Sequence, residues 1–139
     1  MPTPTDLVTV LLDTNVFLAA YWNPHCASAR VIGACVEGRL RCVYTEPVRR
    51  EVSRLLAQVK VSAEYMRRLE PFWERAVKVD PVSVDEVQID DPDDRKFLEA
   101  AAGSEADFLA TNDDHLLRVG YLGRTEILTP GSLAKILNL

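Results

Sequence analysis

The chain has 139 residues, 47% of them hydrophobic and 27% charged, which fits one domain around one sizeable core and excludes a fibre or a disordered tail. Its formal charge of -5 argues against a protein that grips nucleic acid through a broadly basic surface, because phosphate neutralisation is the usual source of that affinity. The objection weakens where negative charge is gathered in a site that metal ions neutralise.

Met1 to Asp6 is polar, and the apolar run from Leu7 to Leu12 is far shorter than a signal-peptide core or a membrane span requires. A cytoplasmic protein without a membrane partner is expected. Cys26, Cys35 and Cys42 are odd in number and lack paired metal-ligand spacing, which fits free thiols in a reducing compartment.

Leu7 to Leu12 reads as a strand buried on both faces of a parallel sheet, because it shows no polar alternation. It ends abruptly at Asp13-Thr14-Asn15. A helix is expected around Ala27 to Val36, stopped by Gly38, and then a strand over Leu40 to Tyr44. Pro47 suits the first turn of a helix whose apolar stripe is Val48, Val52, Leu55, Leu56 and Val59, with Arg49, Arg50 and Arg54 turned away from it. Apolar residues from Tyr65 to Ala76 keep a helical period, although Pro71 is expected to break or kink that segment. Val77 to Val79 reads as a third strand.

Asp90-Asp91-Pro92-Asp93-Asp94 is turn chemistry, followed by a helix through Phe97, Leu98, Ala101 and Ala102 that is expected to stop near Gly103. Asp107 to Thr111 is a further strand, Leu116 and Leu117 mark a short helical turn, Glu126 to Leu128 is a strand, and a last helix follows Pro130. Strands alternating with helices imply an α/β fold with a mainly parallel sheet. No repeat or linker divides residues 1–139, so one domain is expected.

Ligands of open α/β sheets bind outside the carboxyl ends of the strands. Two strands here end in acid-amide clusters, Asp13-Thr14-Asn15 and Thr111-Asn112-Asp113. Each acid has an ordinary structural explanation: Asp13 as a turn residue, Asp113 as a turn preceding Asp114 as helix cap, Asp94 as an N-cap, and Glu51 as a solvated residue beside an apolar stripe. What those explanations miss is the conjunction, since all four can converge on one edge of one sheet. Carboxylates that close repel each other unless a cation fills the gap. All-oxygen ligation favours a hard divalent ion, whose bound water is an effective nucleophile toward a phosphodiester. No His or Ser nucleophile is then needed, and His25 and His115 have no evident carboxylate or cysteine framework around them. Asn15, Thr111 and Asn112 are candidates for orienting such a site or for simple turn hydrogen bonds. Arg49, Arg50, Arg54, Arg67 and Arg68 are read as a solvated face, and Trp22 and Trp73 as packing residues, in preference to contacts with nucleic acid.

Four blocks, Leu11-Leu12-Asp13-Thr14-Asn15-Val16, Glu46-Pro47-Val48-Arg49-Arg50-Glu51-Val52, Asp91-Pro92-Asp93-Asp94-Arg95-Lys96-Phe97-Leu98-Glu99 and Ala106-Asp107-Phe108-Leu109-Ala110-Thr111-Asn112-Asp113, together resemble the PIN-domain family, and more narrowly the toxin subgroup of bacterial toxin-antitoxin pairs. The resemblance spans about Leu7 to Leu133. It implies a three-layer α/β/α sandwich, endonucleolytic cleavage of RNA, and a site holding Mg2+ or Mn2+ through Asp13, Glu51, Asp94 and Asp113, with Asn15 accessory. It also implies a small antitoxin protein partner and often a homodimer. The third acid is ambiguous among Asp91, Asp93 and Asp94, and Asp94 is chosen because it starts the apolar stripe. The last block departs from the subgroup: Asn112 stands where a Gly is frequent, and His115 where a second acid is frequent.

Two other readings compete. A non-catalytic PIN-like module binding RNA or protein would be favoured by loss of a pocket acid. A signalling receiver domain would need a strand-end Lys near the C-terminus, whereas Lys135 falls in an expected helix.

Overall fold

Runs of β-branched and aliphatic residues that lack polar alternation can be buried only where both faces of a sheet are covered. The computed structural model, which describes residues 7–89 and 91–139, meets that requirement. Asp90 and the polar segment 1–6, to which two sequence expectations apply, lie outside the described residues. Among the described residues the strands form one six-stranded sheet of order β3-β2-β1-β4-β6-β5. The strands are β1 (Thr9–Leu12), β2 (Arg41–Tyr44), β3 (Val77–Lys78), β4 (Phe108–Ala110), β5 (Tyr121–Leu122) and β6 (Thr125–Leu128). All pairings are parallel except the β5–β6 hairpin at the edge.

The helices are α1 (Thr14–Trp22), α2 (Ala27–Val36), α3 (Glu46–Val59), α4 (Ala63–Arg75), α5 (Arg95–Ser104), α6 (Asp114–Val119) and α7 (Pro130–Leu137). They bury the sheet from both sides. Val10 and Leu12 of β1 join one core with α1, α2, α4 and α7, while Leu11, pointing the other way, joins a second core with α5 and α6. α3 spans the two, with Val48 in the second core and Val52 and Leu56 in the first. This is the three-layer α/β/α arrangement that the resemblance implies. Lys135 lies within α7, so the strand-end Lys of a receiver domain is missing at that position.

The structure adds to and corrects several local expectations. The stretch after Asp13, which the sequence pattern left without an element, is helix α1; its residues are apolar on nearly all sides, so no amphipathic period announces it. Of the two effects expected of Pro71, a break does not occur, because α4 runs from Ala63 to Arg75 with Pro71 inside. Pro71 is exposed, so water can satisfy the carbonyl its missing N–H frees, while Leu69 and Phe72 remain anchored in the core. Arg49 is not on the solvated face: its guanidinium lies 4.7 Å from the Trp73 ring centre and donates to the Tyr44 hydroxyl at 3.3 Å. Trp22, by contrast, lies outside the core: it is 66% exposed, with its ring against Tyr21.

α5 ends at Ser104, near Gly103 as expected, but the left-handed cap is Glu105 and not Gly103. Gly103 serves a close approach instead. A Cβ at position 103 would sit 2.0 Å from the Asp80 carbonyl oxygen, and the same segment is tied to α5 by the Val82 N–H donating to the Glu99 carbonyl at 3.1 Å. Arg95 completes the attachment by donating to the carbonyls of Val84 and Val87 at 2.9 and 3.0 Å. Gly103→Ala must displace backbone and is expected to cost about 1–3 kcal/mol. A lower urea midpoint at unchanged m would record it.

Candidate active site

Parallel neighbours β1 and β4 are where the strand order reverses direction, because the chain proceeds from β1 to β2 on one side and from β4 to β6 on the other. Such a switch point leaves a crevice at the carboxyl ends of the strands. The Leu12↔Ala110 register puts Asp13 and Thr111 side by side at its base.

Asp13 occupies the N-cap position of α1 but makes no capping bond with its side chain. It is 4% exposed, and its Oδ2 accepts a 2.6 Å hydrogen bond from the Thr111 hydroxyl. Thr111, fully buried, also accepts the Asp113 N–H at 2.9 Å through the same oxygen. One hydroxyl therefore ties together the two strand ends. Burial raises the Asp13 carboxyl above its ordinary pKa; Thr111 and the Thr14 N–H oppose the shift, and the charges of Asp113 and Glu51 add to it.

Asp94 ends the single 3-10 turn Pro92–Asp94 and stands at the N-cap of α5, again without a capping bond. The N-cap explanation of this acid therefore fails. Its side chain is buried, and Oδ2 has no hydrogen-bond partner. Its carboxyl is pushed up to about 7, chiefly by burial, then by proton sharing with and repulsion from Asp113, with Asp91 and Asp13 contributing. Of the three acids left open in this motif, Asp93 is exposed, whereas Asp91 caps the turn by accepting the Asp93 N–H at 3.0 Å. Asp113, not Asp114, is the cap of α6, accepting the His115 N–H at 2.8 Å.

Glu51 projects from α3 toward the same edge, but it is already paired. Its Oε1 takes a 2.8 Å bond from the Lys96 ammonium, and its Oε2 accepts the Thr14 hydroxyl. Lys96 and Thr14 are site residues that reading along the chain missed. Thr14 is adjacent to Asp13, and Lys96 follows Asp94 by two, so proximity to the acids was the available signal. His115 was misjudged: its Nδ1 lies 3.7 Å from both Asp94 Oδ2 and Asp113 Oδ1, a carboxylate surrounding that sequence spacing did not reveal. Asn15 and Asn112 are exposed. Thr111 alone of the three accessory candidates is built into the acid cluster.

A three-layer α/β/α protein with buried acids around its switch point is thus the class that fold and site define. The chain belongs to the PIN-domain family, whose model, described as PIN domain, matches residues 9–115. The fold is also similar to a chain in the crystal structure of VapBC2 from Rickettsia felis bound to a DNA fragment from their promoter. That similarity has a TM-score of 0.59 at 17% identity, covering 86% of this chain and 98% of the other. No curated protein matches the chain significantly in sequence. No helix among the described residues is long and apolar enough to cross a membrane.

Thr111→Val would leave a buried carboxylate oxygen and a backbone N–H without their partner and is expected to cost about 1–3 kcal/mol; Thr111→Ser should recover most of it in urea unfolding. A second expectation concerns pH. Because the Asp94 carboxyl rises from an ordinary 3.8 to about 7, the native state holds a proton that the unfolded chain has released across that window. Its contribution to stability is full below the lower value and is lost as pH rises through the upper one. In EDTA, the urea midpoint of the wild type should fall from pH 5 to pH 7.5 more steeply than that of Asp94→Asn, and a divalent cation at pH 7.5 should restore it.

Proposed function

We propose that this protein is a metal-dependent endoribonuclease of PIN type and the toxin of a toxin-antitoxin pair. The observation that carries the reading is the hydrogen-bond-orphaned, buried Asp94 Oδ2 inside a ring of acids in a chain of this family. A buried carboxylate oxygen without a donor is costly, and a cation is the partner that would also relieve the repulsion among its neighbours.

The donor set fits Mg2+ or Mn2+. Asp13, Asp94 and Asp113 would hold the ion, with Glu51, carrying Lys96, completing the acid ring. When bound, the ion supplies an acidified water as nucleophile and stabilises charge on the leaving oxygen of a phosphodiester. The protein's own groups do the positioning. Thr111 fixes the Asp13 carboxylate, the helix cap at Asp113 fixes the second, and Thr14 with Lys96 fixes Glu51. The Lys96 ammonium, itself 25% exposed, is close enough to the acid ring to offer positive charge to a phosphate oxygen.

RNA as substrate and an antitoxin as partner follow from the family resemblance. The fold similarity to a chain of VapBC2, solved on DNA from their promoter, is compatible with that pairing. A homodimer belongs to the same reading, as does work in the cytoplasm, with which three free cysteines agree.

Mixed single-stranded and structured RNAs should be cut in Mg2+ or Mn2+ and left intact in EDTA. Asp13→Asn should reduce cleavage by more than ~100-fold with the fold retained, because the amide oxygen can still accept from Thr111. Undiminished cutting by that variant would overturn the site assignment, and no cutting of any RNA by the wild type would move the protein to the non-catalytic binding reading.

A further inference from the structure

Residues 80–89 form neither helix nor strand, yet they run along α5 in the opposite direction. The Asp80 carbonyl lies against Gly103 near the end of the helix, the Val82 N–H donates to the Glu99 carbonyl, and the carbonyls of Val84 and Val87 meet Arg95 in its first turn. Asp91 to Asp94 then carry the chain into the acid pocket. Where this strap is held decides where those acids enter. We propose that Arg95 is a positioning residue for the site: its guanidinium clamps the strap to α5 and thereby fixes the turn that carries Asp91 and Asp94.

Three observations carry this. The Val87 N–H donates to the Val84 carbonyl at 2.9 Å and closes a turn. Arg95 donates at 2.9 Å to that same carbonyl and at 3.0 Å to the carbonyl of Val87, so one planar fork holds both ends of the turn. A lysine ammonium, a point charge on a flexible stem, cannot reproduce the bridge. Secondly, the fork is spent on carbonyls although Asp94, its neighbour in the chain, has a buried oxygen without a partner. Arg95 therefore supplies placement and not neutralisation. Thirdly, apolar packing anchors the strap firmly at Val84, whereas Asp85 and Glu86 are exposed and Val87 and Ile89 only partly buried. Among the described residues, the two Arg95 bonds are the hydrogen bonds that join residues 84–89 to α5.

Beyond the clamp the turn is built on Asp91, which accepts the Asp93 N–H through its side chain and the Asp94 N–H through its carbonyl. Ligands must be held to a fraction of an ångström, and removing a group that orients them typically weakens metal binding by about 10- to 100-fold. The inference deepens the metal-site reading above, but a metal-free measurement also tests it.

In full-length protein without metal, amide exchange followed by NMR should quicken by about 10-fold or more at Val87, Asp93 and Asp94 in Arg95→Ala, with the amides of β1 and β4 unchanged. Arg95→Lys should fall between that variant and the wild type. Added methylguanidinium should slow exchange again in Arg95→Ala and leave the wild type as it was, which separates a missing clamp from a misfolded chain. In calorimetric titrations Arg95→Ala should bind Mn2+ about 10-fold or more weakly and recover with methylguanidinium. Exchange at Asp93 and Asp94 that does not change, or that quickens equally throughout the chain, would overturn the proposal. So would unchanged Mn2+ affinity in a variant whose strap has loosened. A wild type that binds no Mn2+ would remove the metal-site reading, and the exchange result would then decide the role of Arg95 by itself.

Discussion

Asp13 is an acid almost wholly removed from water, and the arrangement of the carboxyl edge follows from that constraint. The parallel β1–β4 register places Thr111 beside it, and a single hydroxyl both donates to Asp13 and accepts from the Asp113 backbone. This bond locks the end of one strand to the start of the turn after another. Because β1 and β4 sit centrally in the sheet, with both faces covered by helices, neither strand end can shift without disturbing a packed core. The acid is therefore held by rigid elements, the requirement for a site that must present ligands at fixed separation.

The acids are not treated alike. Glu51 is neutralised by Lys96 and satisfied by Thr14, and Asp113 spends one oxygen on a helix cap. Asp13 is only partly compensated, and Asp94 is left with an oxygen that nothing among the described residues satisfies. Poorly compensated acids are thus concentrated at the two most buried of the four positions, where a protein built only for stability would place apolar side chains. A buried acid left without a hydrogen-bond partner in such a crevice is what a functional site looks like when the surrounding fold is consistent.

That pattern explains which parts were readable along the chain. The central strands announced themselves as unbroken apolar runs, and the acids that end them stood out because polar residues rarely interrupt such runs without reason. α3 was readable because Val48, Val52 and Leu56 repeat at helical spacing on a polar background. α1 was not, since Val16 to Trp22 is apolar all round and periodicity needs contrast. Lys96, Thr14 and His115 escaped for a different reason: Glu51, which Lys96 and Thr14 bond, and Asp94, which faces His115, are brought in by tertiary packing, and Lys96 lies 45 residues from Glu51. Gly103 looked like a helix stop because glycine commonly is one; only the nearby Asp80 backbone reveals that it marks a close approach.

The negative charge of the whole chain acquires a physical meaning in this setting. Several arginines that might have formed a phosphate-binding surface are already engaged: Arg49 with the Trp73 and Tyr44 rings, Arg50 with Glu46, and Arg68 with Glu64. Long-range attraction for a polyanion is correspondingly weak, and the pocket itself repels phosphate while its carboxylates are bare. On the proposed reading, cations reverse that sign where the scissile bond must lie. Affinity for RNA and competence to cut it would then be coupled through the same ions, so a chain of net charge -5 needs no basic surface to hold its substrate in the productive place.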